Sequence, residues 1–275
     1  MARLQAQMNS IRALGRRLRV ARWNFGADAG EKRPLLVFNG IGLNLELLEP
    51  VAAALGTRPV VSFDMPGVGK SPDPVVPYTA ASMALTAQAV LDRLEIGEVD
   101  LLGISWGGGI AQQFALQHRG RVGKLALAAT SAGMAMAPGD ARMLARLADP
   151  AEYTVPKALQ RNLAMLYAGG GDAAVSLNAV TPPSPTGWLY QLGALAGWSS
   201  VAMLPLLDMP TLVMAGDDDQ VVPPVNAQFL HSLIPGSRLK MFEGGGHLFM
   251  LSHLAEFAAT LSAFLDAEDE HSPAA

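Results

Sequence analysis

From Pro34 onward, short runs of Val, Leu and Ile alternate with longer stretches in which apolar positions recur at helical spacing. Runs that are apolar at every position fit strands buried on both faces, and the helical stretches fit crossovers of a mostly parallel sheet. The pattern predicts strands over 35–39, 60–64, 99–104, 124–129, 211–215 and 238–242. Helices are predicted over 45–55, 80–94 with Thr79 as N-cap, 106–118, 226–233 and 248–266. Ahead of them a polar leader ends at a turn at Gly15, and a strand over 18–23 opens the first hairpin. The alternation fails once, over 131–207, where short helical patterns mix with Gly169-Gly170-Gly171 and the three prolines of Thr181 to Pro185. That segment reads as a cap inserted over the sheet, with 1–130 and 208–275 forming the core.

Composition changes this picture in a few places. The 275 residues suit one domain with an insertion. A net charge of −4 with no basic stripe argues against nucleic acid as a partner. With no cysteine, the chain has no disulfide, thiolate metal site or cysteine nucleophile. The first 23 residues are arginine-rich without an apolar core, which argues against a secretory signal and for a cytoplasmic protein. Such a start also fits a transit peptide or a lipid-binding helix, although a leader followed by a strand is the plainer reading. The apolar stretch over 192–207 is interrupted and too short to span a bilayer. Charged residues make up only 16%, so some apolar surface is expected, from alanine richness or for docking on something hydrophobic.

The chemistry centres on Gly103-Ile-Ser105-Trp-Gly107, which falls between a predicted strand and a predicted helix. A nucleophile elbow needs this context: the serine projects from a strained turn, and flanking glycines let the backbones pass. Ser105 is therefore the candidate nucleophile of an α/β-hydrolase fold. A serine needs a base and an orienting acid further along the chain. Of the five histidines, His247 alone follows the last strand through a glycine turn, Gly244-Gly-Gly246. His118, His231 and His253 fall on helical patterns, and His271 lies in the polar tail. For the acid, Gly216-Asp217-Asp218-Asp219 follows the strand over 211–215; a two-residue turn before the carboxylate favours Asp219. The strand before the cap ends in Ala128-Ala-Thr-Ser131 without a carboxylate, and Asp140 is several residues further. An oxyanion hole needs two amides, for which the candidates are Trp106, after the nucleophile, and Ile41 in Asn39-Gly40-Ile41-Gly42. Two look-alikes fail. Gly69-Lys70-Ser71 has Asp64 where a phosphate loop needs glycine, and Gly40-Ile-Gly42 has Leu45 where a dinucleotide fingerprint needs its third. No metal-ligand pattern is present.

Longer stretches add a resemblance. Leu35-Leu-Val-Phe-Asn-Gly-Ile-Gly-Leu-Asn-Leu-Glu-Leu47, Phe63-Asp-Met-Pro-Gly-Val-Gly69, Gly103-Ile-Ser-Trp-Gly-Gly108 with Ala111-Gln-Gln-Phe114, and Gly216-Asp-Asp-Asp219 resemble the intracellular medium-chain-length polyhydroxyalkanoate depolymerases. So do Tyr167-Ala-Gly-Gly-Gly171, Tyr190-Gln-Leu with Ala196-Gly-Trp198, and Gly246-His-Leu-Phe249. The resemblance implies hydrolysis of a polyester of 3-hydroxyacyl units by Ser105, Asp219 and His247, without cofactor or metal, at a granule surface. Lys70 departs from the pattern, standing where a small residue is expected. Asn39, Leu163, Leu166, Trp188 and Trp198 are candidate substrate contacts, with Met165, Leu189 and Leu192 as further apolar cap residues. Two rival functions remain: a general esterase or lipase acting on small esters, and a granule-coating protein without activity.

Overall fold

The computed structural model describes residues 6–26, 32–166 and 180–268. Its strands are β1 (Gln7–Ala13), β2 (Arg16–Trp23), β3 (Leu35–Phe38), β4 (Val60–Phe63), β5 (Val99–Ile104), β6 (Val122–Ala128), β7 (Thr211–Gly216) and β8 (Arg238–Phe242). They form one eight-stranded sheet in the order β1-β2-β4-β3-β5-β6-β7-β8. The β1–β2 and β2–β4 pairings are antiparallel, and all the others are parallel. β3, β4, β5 and β7 are buried at every position, as crossover helices on both faces require, with Ser62, Asp100 and Thr211 the polar members, each hydrogen-bonded.

The helices are α1 (Glu49–Ala54), α2 (Ala80–Arg93), α3 (Trp106–Gln117), α4 (Ala141–Ala148), α5 (Pro150–Thr154), α6 (Pro156–Leu166), α7 (Pro185–Leu195), α8 (Val225–Leu233), α9 (Phe249–Ser252) and α10 (Leu254–Asp266). Successive strand residues feed opposite faces. Leu36 and Phe38 pack with Ala87 of α2, Phe114 of α3 and Leu230 of α8, while Leu35 and Val37 pack with Val51 of α1 and Phe257 and Leu261 of α10. Burying each such large side chain contributes about 1.5–3 kcal/mol.

Three sequence expectations are corrected. The polar leader contains the edge strand β1, mostly exposed, where one paired side and a solvated face tolerate polar residues. The helix expected over 45–55 is a 3-10 turn, Leu45–Leu48, followed by α1, because Pro50 in the first turn has no amide to continue a ladder. The helix expected over 248–266 breaks at His253 (φ −115°, ψ 38°), whose ring Nε2 lies 3.1 Å from the Glu243 carbonyl oxygen.

Between β6 and β7 the described chain carries α4 to α7 and a 3-10 turn, Val201–Leu206, but no strand. Pro150, Pro156 and Pro185 start helices, while Pro182 and Pro183 lie in the expected loop before α7. Asp149 and Ser184 cap α5 and α7 with their side chains, and Pro150 and Pro185 follow in the first turn, where no amide is needed. The start of α7 is fastened to the loop after β4. Ser184 donates its amide to Gly67 O at 2.8 Å and its hydroxyl to Asp73, and a Cβ on Gly187 would lie 2.4 Å from Gly67 O. The motif at 167–171 lies outside the described residues. No described helix is long and apolar enough to cross a membrane.

Candidate active site

Ser105 occupies the one-residue bend between β5 and α3, with φ 53° and ψ −123°. That left-handed conformation costs a non-glycine residue on the order of 1–3 kcal/mol and must be held by its surroundings. Ser105 donates its amide to Ala128 O at 2.8 Å, and its carbonyl accepts the Thr130 hydroxyl at 2.7 Å. The glycines are there for close approach. A Cβ on Gly103 would lie 2.5 Å from Gly108 Cα, and one on Gly107 would lie 2.2 Å from Phe38 O. Gly107→Ala is accordingly expected to destabilise the fold by at least about 2 kcal/mol, in the range for overpacked interiors. Urea unfolding checks this, and an unchanged midpoint would contradict the packing.

His247 and Asp219 arrive from turns after β8 and β7. His247 Nε2 lies 2.9 Å from Ser105 Oγ, and His247 Nδ1 lies 2.8 Å from Asp219 Oδ2. Asp219 Oδ1 accepts the amides of Val221 at 2.8 Å and Val222 at 2.9 Å. A carboxylate can only accept, so the Nδ1 proton faces Asp219 and Nε2 is free to accept from the serine. Asp219 is 2% exposed and His247 7% exposed, so the bond between them is shielded from water, while the Ser105–His247 bond is part-buried. The two neighbouring acids have other partners. Asp217 accepts the Gly244 amide at 2.7 Å, tying the β7 turn to the glycine turn before His247, and Asp218 accepts from Gln220 at 2.9 Å.

Ser105 and His247 open into a cavity of about 230 Å³ whose wall is almost wholly apolar. Ile41 and Trp106, the expected oxyanion donors, border it. Trp106 is the first residue of α3, where an amide has no acceptor within the helix. Leu166, Leu192 and Trp198 also border it. Asn39, Leu163 and Trp188 do not. Asn39 spans its own loop, accepting the Gly40 amide at 2.9 Å and donating to Asn44 O at 3.0 Å. Leu163 is buried in the core on the α6 side, and Trp188 stacks on Tyr153 at 4.2 Å while closing against Gly42. Met165 and Leu189 are exposed at 38% and 60%. Lys70 is exposed as well, fixed through its amide to Asp64.

Sequence reasoning missed Met136, Leu144, Leu147, Tyr153, Val221 and Val222, all of which line the cavity. Leu144 and Leu147, three apart on α4, carried a readable helical signal; the valines, hidden in the acid's turn, carried none. Burial pushes the Tyr153 phenol above its ordinary range, so this part of the wall stays uncharged. Among the described residues, no group of acidic and histidine side chains is arranged to hold a metal.

The alpha/beta hydrolase fold model matches residues 33–254, and the chain belongs to that family. A poly(3-hydroxyalkanoate) depolymerase from Ectopseudomonas oleovorans is 40% identical over 241 residues, covering 86% of this chain and 85% of that protein. A pimeloyl-[acyl-carrier protein] methyl ester esterase from Neisseria meningitidis is 28% identical, covering 87% of this chain and 94% of its own. Among solved structures, an esterase from Exiguobacterium antarcticum superposes with a TM-score of 0.82 at 26% identity, covering 95% of this chain and all of that one. The chain is thus a carboxylic ester hydrolase by kinship.

Proposed function

We propose that this protein hydrolyses the ester bonds of a medium-chain poly(3-hydroxyalkanoate), working at the surface of polymer granules and releasing 3-hydroxy acids or short oligomers. The observation that carries the reading is the hydrogen-bonded series Ser105, His247, Asp219 opening on a deep apolar cavity, in a chain 40% identical to a poly(3-hydroxyalkanoate) depolymerase. Residues 131–207 act as a cap, and its described residues, Leu144, Leu147, Tyr153 and Leu192 among them, supply much of the acyl-side wall.

The reaction is a two-step acyl transfer. His247 Nε2 takes the Ser105 proton as Oγ attacks the ester carbonyl, and Asp219 steadies the imidazolium through Nδ1. The amides of Ile41 and Trp106 bind the oxygen as it becomes negative. The tetrahedral intermediate collapses, its C–O bond to the next unit breaks, and His247 returns the proton to the leaving 3-hydroxyl. A water, deprotonated by the same imidazole, then attacks the acyl-serine and frees the acid and Ser105.

The cavity makes a quantitative prediction. If it buries four more methylenes of a longer side chain, at about 0.8 kcal/mol each, the gain is roughly 3 kcal/mol, or about two orders of magnitude in specificity. Medium-chain polymer is expected to outpace poly(3-hydroxybutyrate), measured as released 3-hydroxy acids from amorphous granules of equal surface area. Adsorption alone would favour both polymers, so equal rates would remove the pocket argument. Turnover of a chromogenic octanoate ester separates an enzyme from an inert coat. Failure to release acid from granules, with that turnover intact, would make the protein a small-ester esterase.

A further inference from the structure

The two amides assigned to the oxyanion hole come from separate parts of the core, the loop after β3 and the start of α3. A single residue of α7 touches both. Gln191 Oε1 accepts the amide of Gly42, next to Ile41, at 2.8 Å. The Gln191 carbonyl oxygen accepts the indole N–H of Trp106 at 3.0 Å. Gln191 is fully buried, and its Nε2 has no hydrogen-bond acceptor among the described residues. Leaving an amide donor unpaired in the interior is unfavourable, and an apolar side chain would serve packing better. The polar side chain is explained by what its Oε1 holds, the Gly42 amide, while the Trp106 indole is held by the backbone carbonyl of the same residue.

Gly42 has φ 69°, a conformation that allows the chain to reverse beside Ile41, and a Cβ there would lie 2.8 Å from the Trp188 ring. Trp188 of the same helix therefore backs the loop while Gln191 fixes the plane of the peptide that follows Ile41. Gln191 does not border the cavity, but its neighbour Leu192 does. Its influence on a substrate thus runs through the peptide and the indole it holds.

We propose that Gln191 is a positioning residue for ester hydrolysis: from α7 it sets the loop of Ile41 and the Trp106 end of α3 in register, so that the oxyanion hole is complete only with α7 seated. This rests on the reading of Ser105 as an ester-hydrolysing nucleophile with Ile41 and Trp106 as its donors. Losing one oxyanion donor outright costs about 10²–10³ in turnover, and a misaligned donor is expected to cost about 10–100-fold.

The test uses the full chain, a soluble p-nitrophenyl ester and an alkyl boronic acid that forms a tetrahedral adduct on the active serine. Gln191→Leu keeps the bulk and removes the Oε1 acceptor. It is expected to lower kcat by about 10–100-fold and weaken boronate binding by a similar factor, with KM within about threefold of wild type. A merely structural role would shift the melting temperature and leave boronate affinity and kcat of the folded protein where they were. A folded Gln191→Leu protein with both values within threefold of wild type overturns the proposal. Gln191→Glu decides the matter if the leucine variant does not fold. It keeps an acceptor, but its carboxylate, once ionised, opposes the developing oxyanion. At pH 9 its kcat and boronate affinity are each expected to lie at least about tenfold below wild type, and a folded glutamate variant with both within threefold of wild type at that pH overturns the assignment. A wild-type protein inert toward the p-nitrophenyl ester would instead defeat the underlying reading.

Discussion

Ser105→Ala is expected to reduce ester turnover by about 10⁶-fold while leaving the fold intact. The Ser105 hydroxyl makes one described hydrogen bond, to His247, and the strain at φ 53° is the same for alanine as for serine. The elbow's own fastenings run through the Ser105 amide and carbonyl, to Ala128 and Thr130, and survive the substitution. Residual rate should exceed that of water, since the oxyanion amides and the cavity remain. Steady-state kinetics with circular dichroism check the first two points, and an alkyl phosphonate should label Ser105 in the wild type. Near-wild-type turnover by a folded alanine variant, or label on a different serine, would refute the nucleophile assignment.

Asp219→Asn is expected to cost about 10⁴ in turnover, with Asp217→Asn and Asp218→Asn far milder. Asp219 accepts two amides through Oδ1, so an asparagine there keeps its carbonyl oxygen on that side and turns its NH₂ toward His247 Nδ1. A donor in that position forces the imidazole to accept at Nδ1 and carry its proton on Nε2, where it can no longer take one from Ser105. At Asp217 the partner is the Gly244 amide and at Asp218 the Gln220 side chain, both of which an asparagine oxygen still satisfies. Matched kinetics on the three variants discriminate between the positions. A larger loss at Asp217 or Asp218 than at Asp219 would move the acid along the turn.

How much of this was legible beforehand follows from the physics of each part. The central strands were readable because burial on both faces demands mostly apolar runs, and β5 falls on the expected residues; β8, at the edge, was also found, and it alternates polar with apolar positions. Ser105 was readable because a strand, a glycine-flanked serine and a helix in that order leave few other uses for the sequence. The two-residue turn read before Asp219 is present: Asp217 and Asp218 fall on it, their amides donating to Phe242 O and Gly245 O, and Asp219 is the acid whose carboxylate meets His247. The cavity wall was harder. An apolar residue on a helix reveals that it avoids water and nothing about whether it faces a core or a void. Thus Leu166 and Trp198 border the cavity while Leu163 and Trp188, chosen on the same grounds, are packed away from it. Edge strand β1 escaped because pairing on one side asks little of composition. Gln191 escaped because its partners are backbone and indole N–H groups more than 80 residues away, which no local spacing encodes.

Val221 and Val222 turn their side chains to the cavity and their amides to Asp219. On this side, then, the cavity wall and the fastening of the histidine's carboxylate partner share one stretch of backbone. Leu144 and Leu147 of α4 border the same space with no described hydrogen bond to the Ser105–His247–Asp219 series, and among the described hydrogen bonds α4 meets the acid's turn only at its start, where the amide of its cap Asp140 donates to Gln220 O at 2.8 Å. On the proposed reading, variation that retunes side-chain preference meets one wall whose own amides hold the acid and another whose side chains at 144 and 147 can change without touching it. If the protein is the polyester hydrolase proposed above, drift in its chain-length selectivity should therefore accumulate at positions 144 and 147, and redesign should begin there, because a change of turn geometry at 221–222 alters the acid along with the pocket.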